Sequence, residues 1–249
     1  MKKDMKTKRV IWRSIGALMM GSLVLTSCVD DPEPIALNAA TDVFVQKIVQ
    51  NDVEKYSVAF WVYGNKDLDS VKVEGPNDES WKLEKTPSNS QLFSLYPEDE
   101  DYTETMPAEG EYVFTVKSTQ ADEAAITFKD KLGADELPAV TIETSVFKDS
   151  KQKTTWLEAE DADAYYVRLY DSSDKLVFTS SILSKVTEYA FGLADNGWAD
   201  NNKKAEAGET YRIEVLAILY EDGATDSNRG YNVQFISIGS DEIVWGEGE

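Results

Sequence analysis

Histidine is absent from all 249 positions of this chain. That excludes Ser–His–Asp and Cys–His triads, His-ligated zinc and an imidazole general base. Cysteine occurs once, at Cys28, so no disulfide can close within the chain. Basic residues are scarce: 25 Lys and Arg stand against 46 Asp and Glu, a formal charge of −21. Such a surface repels polyphosphate, which argues against nucleic acid as a partner, and it resists lying flat on anionic lipid head groups. Long apolar runs are missing too. Ile15 to Leu25 is an uncharged stretch of eleven residues, whereas a membrane-crossing helix needs about 20. Phosphate-cradling glycine loops and amphipathic helices of useful length are also lacking. What survives is carboxylate or serine–lysine chemistry, and among so many acids no catalytic pair stands out. The expectation is a protein that is not an enzyme and needs no cofactor.

What is there begins with an address. Lys2, Lys3, Lys6, Lys8, Arg9 and Arg13 precede the short apolar run, which ends in Leu25-Thr26-Ser27-Cys28. A basic start, a short apolar core and small residues describe an export signal that is cut off. The final four residues resemble the lipobox of bacterial lipoproteins. The resemblance implies that Cys28 receives diacylglycerol, that residues 1–27 are removed, and that the new amino group is acylated. Two or more chains would hold the protein firmly, at about 0.8 kcal/mol per buried CH₂. Val29-Asp30-Asp31-Pro32-Glu33-Pro34 is similar to the export signal that sends lipoproteins of the Bacteroidota to the outer face of the outer membrane. A flexible acidic tether is the plainer reading of the same residues. The expected location is the outer membrane, lipid-anchored and facing the exterior.

The remaining chain, about 220 residues, suits two domains of about 100. Alternation dominates it. Val43–Val49, Tyr56–Tyr63, Ser70–Glu74, Trp81–Lys85, Gln91–Tyr96, Gly110–Lys117 and Ala125–Lys129 read as strands, with turn residues between them. Strand spacing of about 8–12 residues is that of a β-sandwich. After a tether over 28–39, residues 40–132 read as one immunoglobulin-like sandwich and 133–137 as a hinge. The second half repeats the grammar, with its strongest strand at Thr210–Tyr220. Trp156, Ala164, Tyr166-Val167, Tyr189-Ala190-Phe191-Gly192-Leu193 and Gly208-Glu209-Thr210-Tyr211 resemble a fibronectin type III domain over residues 138–239. That resemblance implies seven strands in two sheets, with Trp156 in the core on the second strand. It also implies that the Tyr211 hydroxyl ties back to the chain upstream. Residues 240–249 are left as a tail. The fold class is thus all-β, two consecutive immunoglobulin-like and fibronectin type III-like sandwiches after a cleaved lipoprotein signal.

The second half departs from the family where Ala194–Glu206 is inserted between Leu193 and Ala207-Gly208. Trp198 sits there among Asp195, Asn196, Asp200 and Asn201. An exposed indole stacks on the C–H face of a sugar while amide and carboxylate groups bind its hydroxyls. Trp198, Asp195, Asn196 and Asn201 are therefore candidate ligand-binding residues. The alternative is a Trp198 folded back as a lid over Phe191 or Leu193. The same oxygens could hold Ca²⁺, but their spacing is not that of an EF-hand loop and no metal site is assigned. The acidic run Pro97–Tyr102 reads as a solvated loop. Trp61, Trp81 and Trp156 fall on strands and are expected in the core. Trp245 is expected to dock on the second sandwich or on a partner. The expected function is a non-enzymatic surface lipoprotein that binds or positions glycan, similar to accessory lipoproteins of polysaccharide uptake. The other reading is a structural or adhesive module contacting an outer-membrane protein.

Overall fold

The computed structural model describes residues 35–225 and 227–247. Cys28 and residues 1–27, expected as a cleaved signal, lie outside the described residues. Among the described residues no helix is long and apolar enough to cross a membrane.

Alternating apolar residues put one face of each strand in a core. The first half forms β1 (Ala39–Gln50), β2 (Val53–Gly64), β3 (Leu68–Glu74), β4 (Ser80–Lys82), β5 (Glu84–Lys85), β6 (Leu92–Leu95), β7 (Gly110–Ser118) and β8 (Ile126–Leu132). The second half forms β9 (Ile142–Lys148), β10 (Lys151–Trp156), β11 (Ala164–Tyr170), β12 (Leu176–Thr179), β13 (Glu188–Phe191), β14 (Thr210–Tyr220) and β15 (Val233–Val244). The all-β expectation and the seven strands of the second half agree with this arrangement.

The two sandwiches are not separate. β1 pairs in parallel with β15, from Val45 opposite Phe235 to Ile48 opposite Ile238. This joins a sheet of each half into one eight-stranded sheet, ordered β12-β11-β14-β15-β1-β2-β6-β5. The four-stranded sheet β4-β3-β7-β8 packs on its first-half end, and the three-stranded sheet β13-β10-β9 on its second-half end. Residues opposite one another on neighbouring strands share a face. Val43 with Phe60, Val45 with Phe235 and Val167 with Val215 therefore line a continuous inner face. That face and both smaller sheets share one buried cluster, and the described residues from Ala36 onward form a single compact unit.

The segment expected as a hinge is pinned down. Leu137 is fully buried. Lys47, itself buried, donates to the Leu137 carbonyl at 3.0 Å and pairs with Glu136 at 2.8 Å and Glu54 at 3.0 Å. The expected tether also ends early, because Leu37 is buried and its amide donates to Glu123 Oε1 at 2.9 Å. The expected tail is largely strand: β15 runs on to Val244, and Trp245 is 2% exposed. In each case the apolar residue found a core that no local pattern announces.

Trp156 is buried on β10, as the resemblance implied. The amide of Glu206 donates to the Tyr211 hydroxyl at 3.0 Å, tying it to the upstream chain. The first half holds a counterpart that the sequence reading missed. Tyr112 donates its hydroxyl to the Ala108 carbonyl at 2.9 Å. Ala108-Glu109-Gly110-Glu111-Tyr112 beside Ala207-Gly208-Glu209-Thr210-Tyr211 was the available signal.

Candidate functional site

The inserted loop is built around its tryptophan, not beneath it. Gly197 accepts the Thr179 amide at 3.0 Å, and the Ala199 amide donates to Val177 at 2.9 Å, so the loop extends the sheet beside β12. Gly197 has φ +114° and lies so close to Thr179 that a Cβ would meet its carbonyl at 2.2 Å. Glycine is required for that approach. Trp198 then turns inward, 7% exposed, with ring centroids 5.2 Å from Phe178, 6.1 Å from Phe191 and 5.7 Å from Trp245. Its indole N–H donates to the Gly192 carbonyl at 3.2 Å. Buried on both its apolar and polar sides, Trp198 cannot stack on a sugar: the exposed platform is not formed, and the fold-back over Phe191 given as the alternative is what the structure shows.

Its companions are dispersed. Asp195 accepts the Gly192 amide at 2.8 Å and pairs with Lys151 at 3.3 Å, and these two interactions, the amide first, hold its carboxyl below the usual range. Asp195 and Asn196 line a shallow depression of about 530 Å³ with Tyr189 and Thr179, of which Asn201 is not a part. Leu193 stays exposed. The carboxylate grouping found among the described residues lies elsewhere.

Asp42, Asp130 and Glu221 bring carboxylate oxygens within 4.8 Å of one another. They sit where β1 and β15 separate. Pairing starts only at Val45 and Phe235, and upstream the amides turn to carboxylates. Val233 donates to Asp42 at 3.2 Å and Val43 to Asp130 at 2.9 Å. Burial, then the charges of Asp130 and Glu221, push the Asp42 carboxyl well above its ordinary value. Burial also raises Asp130, and burial followed by Asp130 pushes Glu221 up to about 7. The grouping gathers three carboxyls at the joint between the halves, where burial and like charge favour their neutral forms. Residues 42, 130 and 221 are so far apart in sequence that no local signal connects them.

A different aromatic set faces outward. On β2, Phe60 and Val62 enter the core, so Trp61 and Tyr63 project from the outer face of the eight-stranded sheet. Tyr231, from the short 3₁₀ turn Arg229–Tyr231, lies beside them. The Trp61 ring runs nearly parallel to Tyr63, at 6.1 Å and 14°, and to Tyr231, at 6.1 Å and 2°. Tyr63 is 41% exposed and Tyr231 38%. The Tyr63 hydroxyl donates to Gln91 Oε1 at 2.9 Å, which sets an amide at the end of the row. The expectation that Trp61 belongs to the core holds only in part: it is half-buried and packs against the smaller outer cluster of Phe44, Ala59, Leu216, Ile218, Val233 and Ile236. Both faces of β2 are apolar, so alternation could divide its residues but not tell which set faces out.

No protein-family profile matches the chain, and no curated protein does. Solved structures do. A two-domain fibronectin type III segment of chicken tenascin is 11% identical with a TM-score of 0.28, the match covering 83% of this chain and 99% of that one. The first three fibronectin domains of chicken CNTN1 are 14% identical, TM-score 0.28, covering 83% and 66% respectively. A biofilm-associated protein's BSP domain is 15% identical, TM-score 0.24, covering 86% of this chain and 30% of that one. The all-β fold rests on the chain's own topology, one eight-stranded sheet with a four-stranded and a three-stranded sheet.

Proposed function

We propose that this is a non-enzymatic lipoprotein, anchored through Cys28 at the outer membrane and facing the exterior, that binds or positions glycan. The parallel row Tyr63–Trp61–Tyr231 carries the reading. Two exposed tyrosines flanking a half-buried tryptophan on the outer sheet face offer aromatic surface to the C–H faces of sugar units, and Gln91 and the tyrosine hydroxyls supply hydrogen bonds to ring hydroxyls. Trp61 and Tyr63, borne on a strand, lose little freedom on binding, which favours affinity.

Affinity electrophoresis of the detergent-solubilised chain in gels containing neutral polysaccharides tests this. Retardation on at least one polymer, weakened about tenfold or more by Trp61→Ala, is the expected result. Unchanged mobility on every polymer, or equal retardation of the variant, removes the support. The anchor has its own test: Cys28→Ser should move the protein from the membrane fraction to the soluble one, and retention would end the lipid reading.

The adhesive reading draws on a separate observation, the burial of Trp198 together with the fusion of both sandwiches into one unit. A stiff body of this kind suits a spacer or a protein contact, and the same outer row would then meet an outer-membrane protein. Cross-linking lost in Trp61→Ala while all polysaccharides leave mobility unchanged would favour it.

A further inference from the structure

The outer face of the four-stranded sheet is richer in lysine than in acid, with Lys72, Lys82, Lys117, Lys129 and Lys131 beside Glu74, Glu111 and Asp69. Val71, Val73, Phe114 and Val116 point inward. Cross-strand register then places Lys82, Lys72, Thr115 and Thr127 in one row on the outside, and pairs Ser70 with Lys117 and Val113 with Lys129 beside it. Lys131 lies opposite Glu111 on the same face. Lys72 and Lys82 stand directly opposite each other, an arrangement that disfavours a strand pair unless something else uses it. Part of the charge is balanced, since Lys72 pairs with Glu74 at 2.7 Å, Lys129 with Glu111 at 2.7 Å and Lys117 with Asp69 at 3.6 Å. Lys82 makes no ion pair among the described residues. The lysines frame a depression of about 450 Å³ whose lining includes Ser70, Ser80, Thr115 and Trp81.

We propose that this face binds an anionic polysaccharide, one bearing uronate carboxylates or sulfate esters. Ammonium groups supply the counter-charge, and the serine and threonine hydroxyls donate to the same oxyanions or to neighbouring sugar hydroxyls. The shape selects the ligand class. An open face with strands about 4.8 Å apart suits an extended chain rather than an enclosed small molecule. The charge selects it again. An anionic membrane would confront the whole surface of a protein of charge −21, whereas a polymer strand can meet the lysines alone. At physiological salt, charges more than about 8 Å away are largely screened from it. This site is separate from the aromatic row and stands whether or not that row binds neutral glycan.

Polygalacturonate and chondroitin sulfate in affinity gels are the probes, with the detergent-solubilised full chain. Retardation on at least one of them is expected, falling steeply as NaCl rises. Lys72→Gln/Lys82→Gln/Lys117→Gln should weaken it about tenfold or more, with unchanged circular dichroism and thermal midpoint. Trp61→Ala should leave it intact, which separates this site from the outer aromatic row. Unaltered mobility on both polymers, or a triple variant retarded as strongly as the parent, overturns the proposal. So does binding to vesicles of anionic phospholipid without binding to either polymer. A triple variant that misfolds is replaced by Lys82→Gln alone, expected to weaken retardation about threefold; no change there overturns the proposal as well.

Discussion

Trp245→Ala is expected to cost about 3–5 kcal/mol of unfolding free energy, the range for removing a large aromatic side chain from a core. Trp245 is 2% exposed and lies at the centre of an aromatic group closing one end of the second sandwich. Its ring lies 5.4 Å from Phe147 on β9, 5.6 Å from Phe191 on β13, 5.7 Å from Trp198 and 6.4 Å from Tyr211 on β14. Those partners come from both sheets and from the inserted loop, so one deletion opens a void that no single segment can collapse into. The backbone on either side is held as well. Trp245 donates to the Glu209 carbonyl at 2.9 Å and accepts the Gly208 amide at 2.8 Å, which stops the strand from shifting to fill the space. For a unit of this size each kcal/mol lowers the melting temperature by about 2–4 °C. Calorimetry should therefore show a fall of about 10 °C. Trp198→Ala should destabilise less than additively in the same background, because the two indoles share one void. A drop under about 3 °C for Trp245→Ala would mean the end of the sandwich closes without it.

The second large effect concerns pH. Unfolded Asp and Glu titrate near 3.9 and 4.3. In the folded protein Asp42, Asp130 and Glu221 all titrate higher, Glu221 at about 7. Groups raised in this way stabilise the fold fully below their unfolded values, and the contribution is lost as pH rises through the folded ones. Stability should thus fall between pH 5 and pH 8. Glu54 and Asp195 are shifted down. Their contribution is present above about 4.5 and vanishes toward acid, outside that window. Asp42→Asn keeps an oxygen for the Val233 amide and removes a charge from the most buried member of the group. We expect the variant to be more stable than the parent at pH 8 by about 1–3 kcal/mol, and its stability to vary less from pH 5 to 8. Urea unfolding at four pH values measures both. A parent as stable at pH 8 as at pH 5, or a variant with the same slope, would show that these carboxyls do not make folding depend on pH.

These two sites were legible to different degrees. Trp245 could be seen as an apolar residue needing cover, because Ile243-Val244-Trp245 is conspicuous near a chain end. Its partners could not, since Phe147, Phe191 and Trp198 are brought to it by three separate elements. The carboxylate grouping was invisible. With 46 acidic residues in the sequence, a meeting of three is a property of register alone. Trp198 left two readings open for a related reason: its flanks of Asp, Asn and Gly describe a solvated loop, while the cavity that selects the fold-back is lined by β12, β13 and the end of β15. Trp61 misled in the opposite direction, being on a strand yet on the outer face.

Pattern within a few residues of each position was enough for the strands, for the all-β class and for the roles of Trp156 and Tyr211. Side-chain alternation and turn chemistry are local properties, written wherever a strand is written. The absence of histidine and of a second cysteine likewise narrowed the chemistry before any folding was considered. Tertiary structure alone decided that β15 lies beside β1, that both halves share one core, and which aromatic rings meet solvent. Those outcomes depend on pairing between residues nearly two hundred positions apart, and alternation carries no information about which distant edge a strand will meet or which of its two faces will be covered.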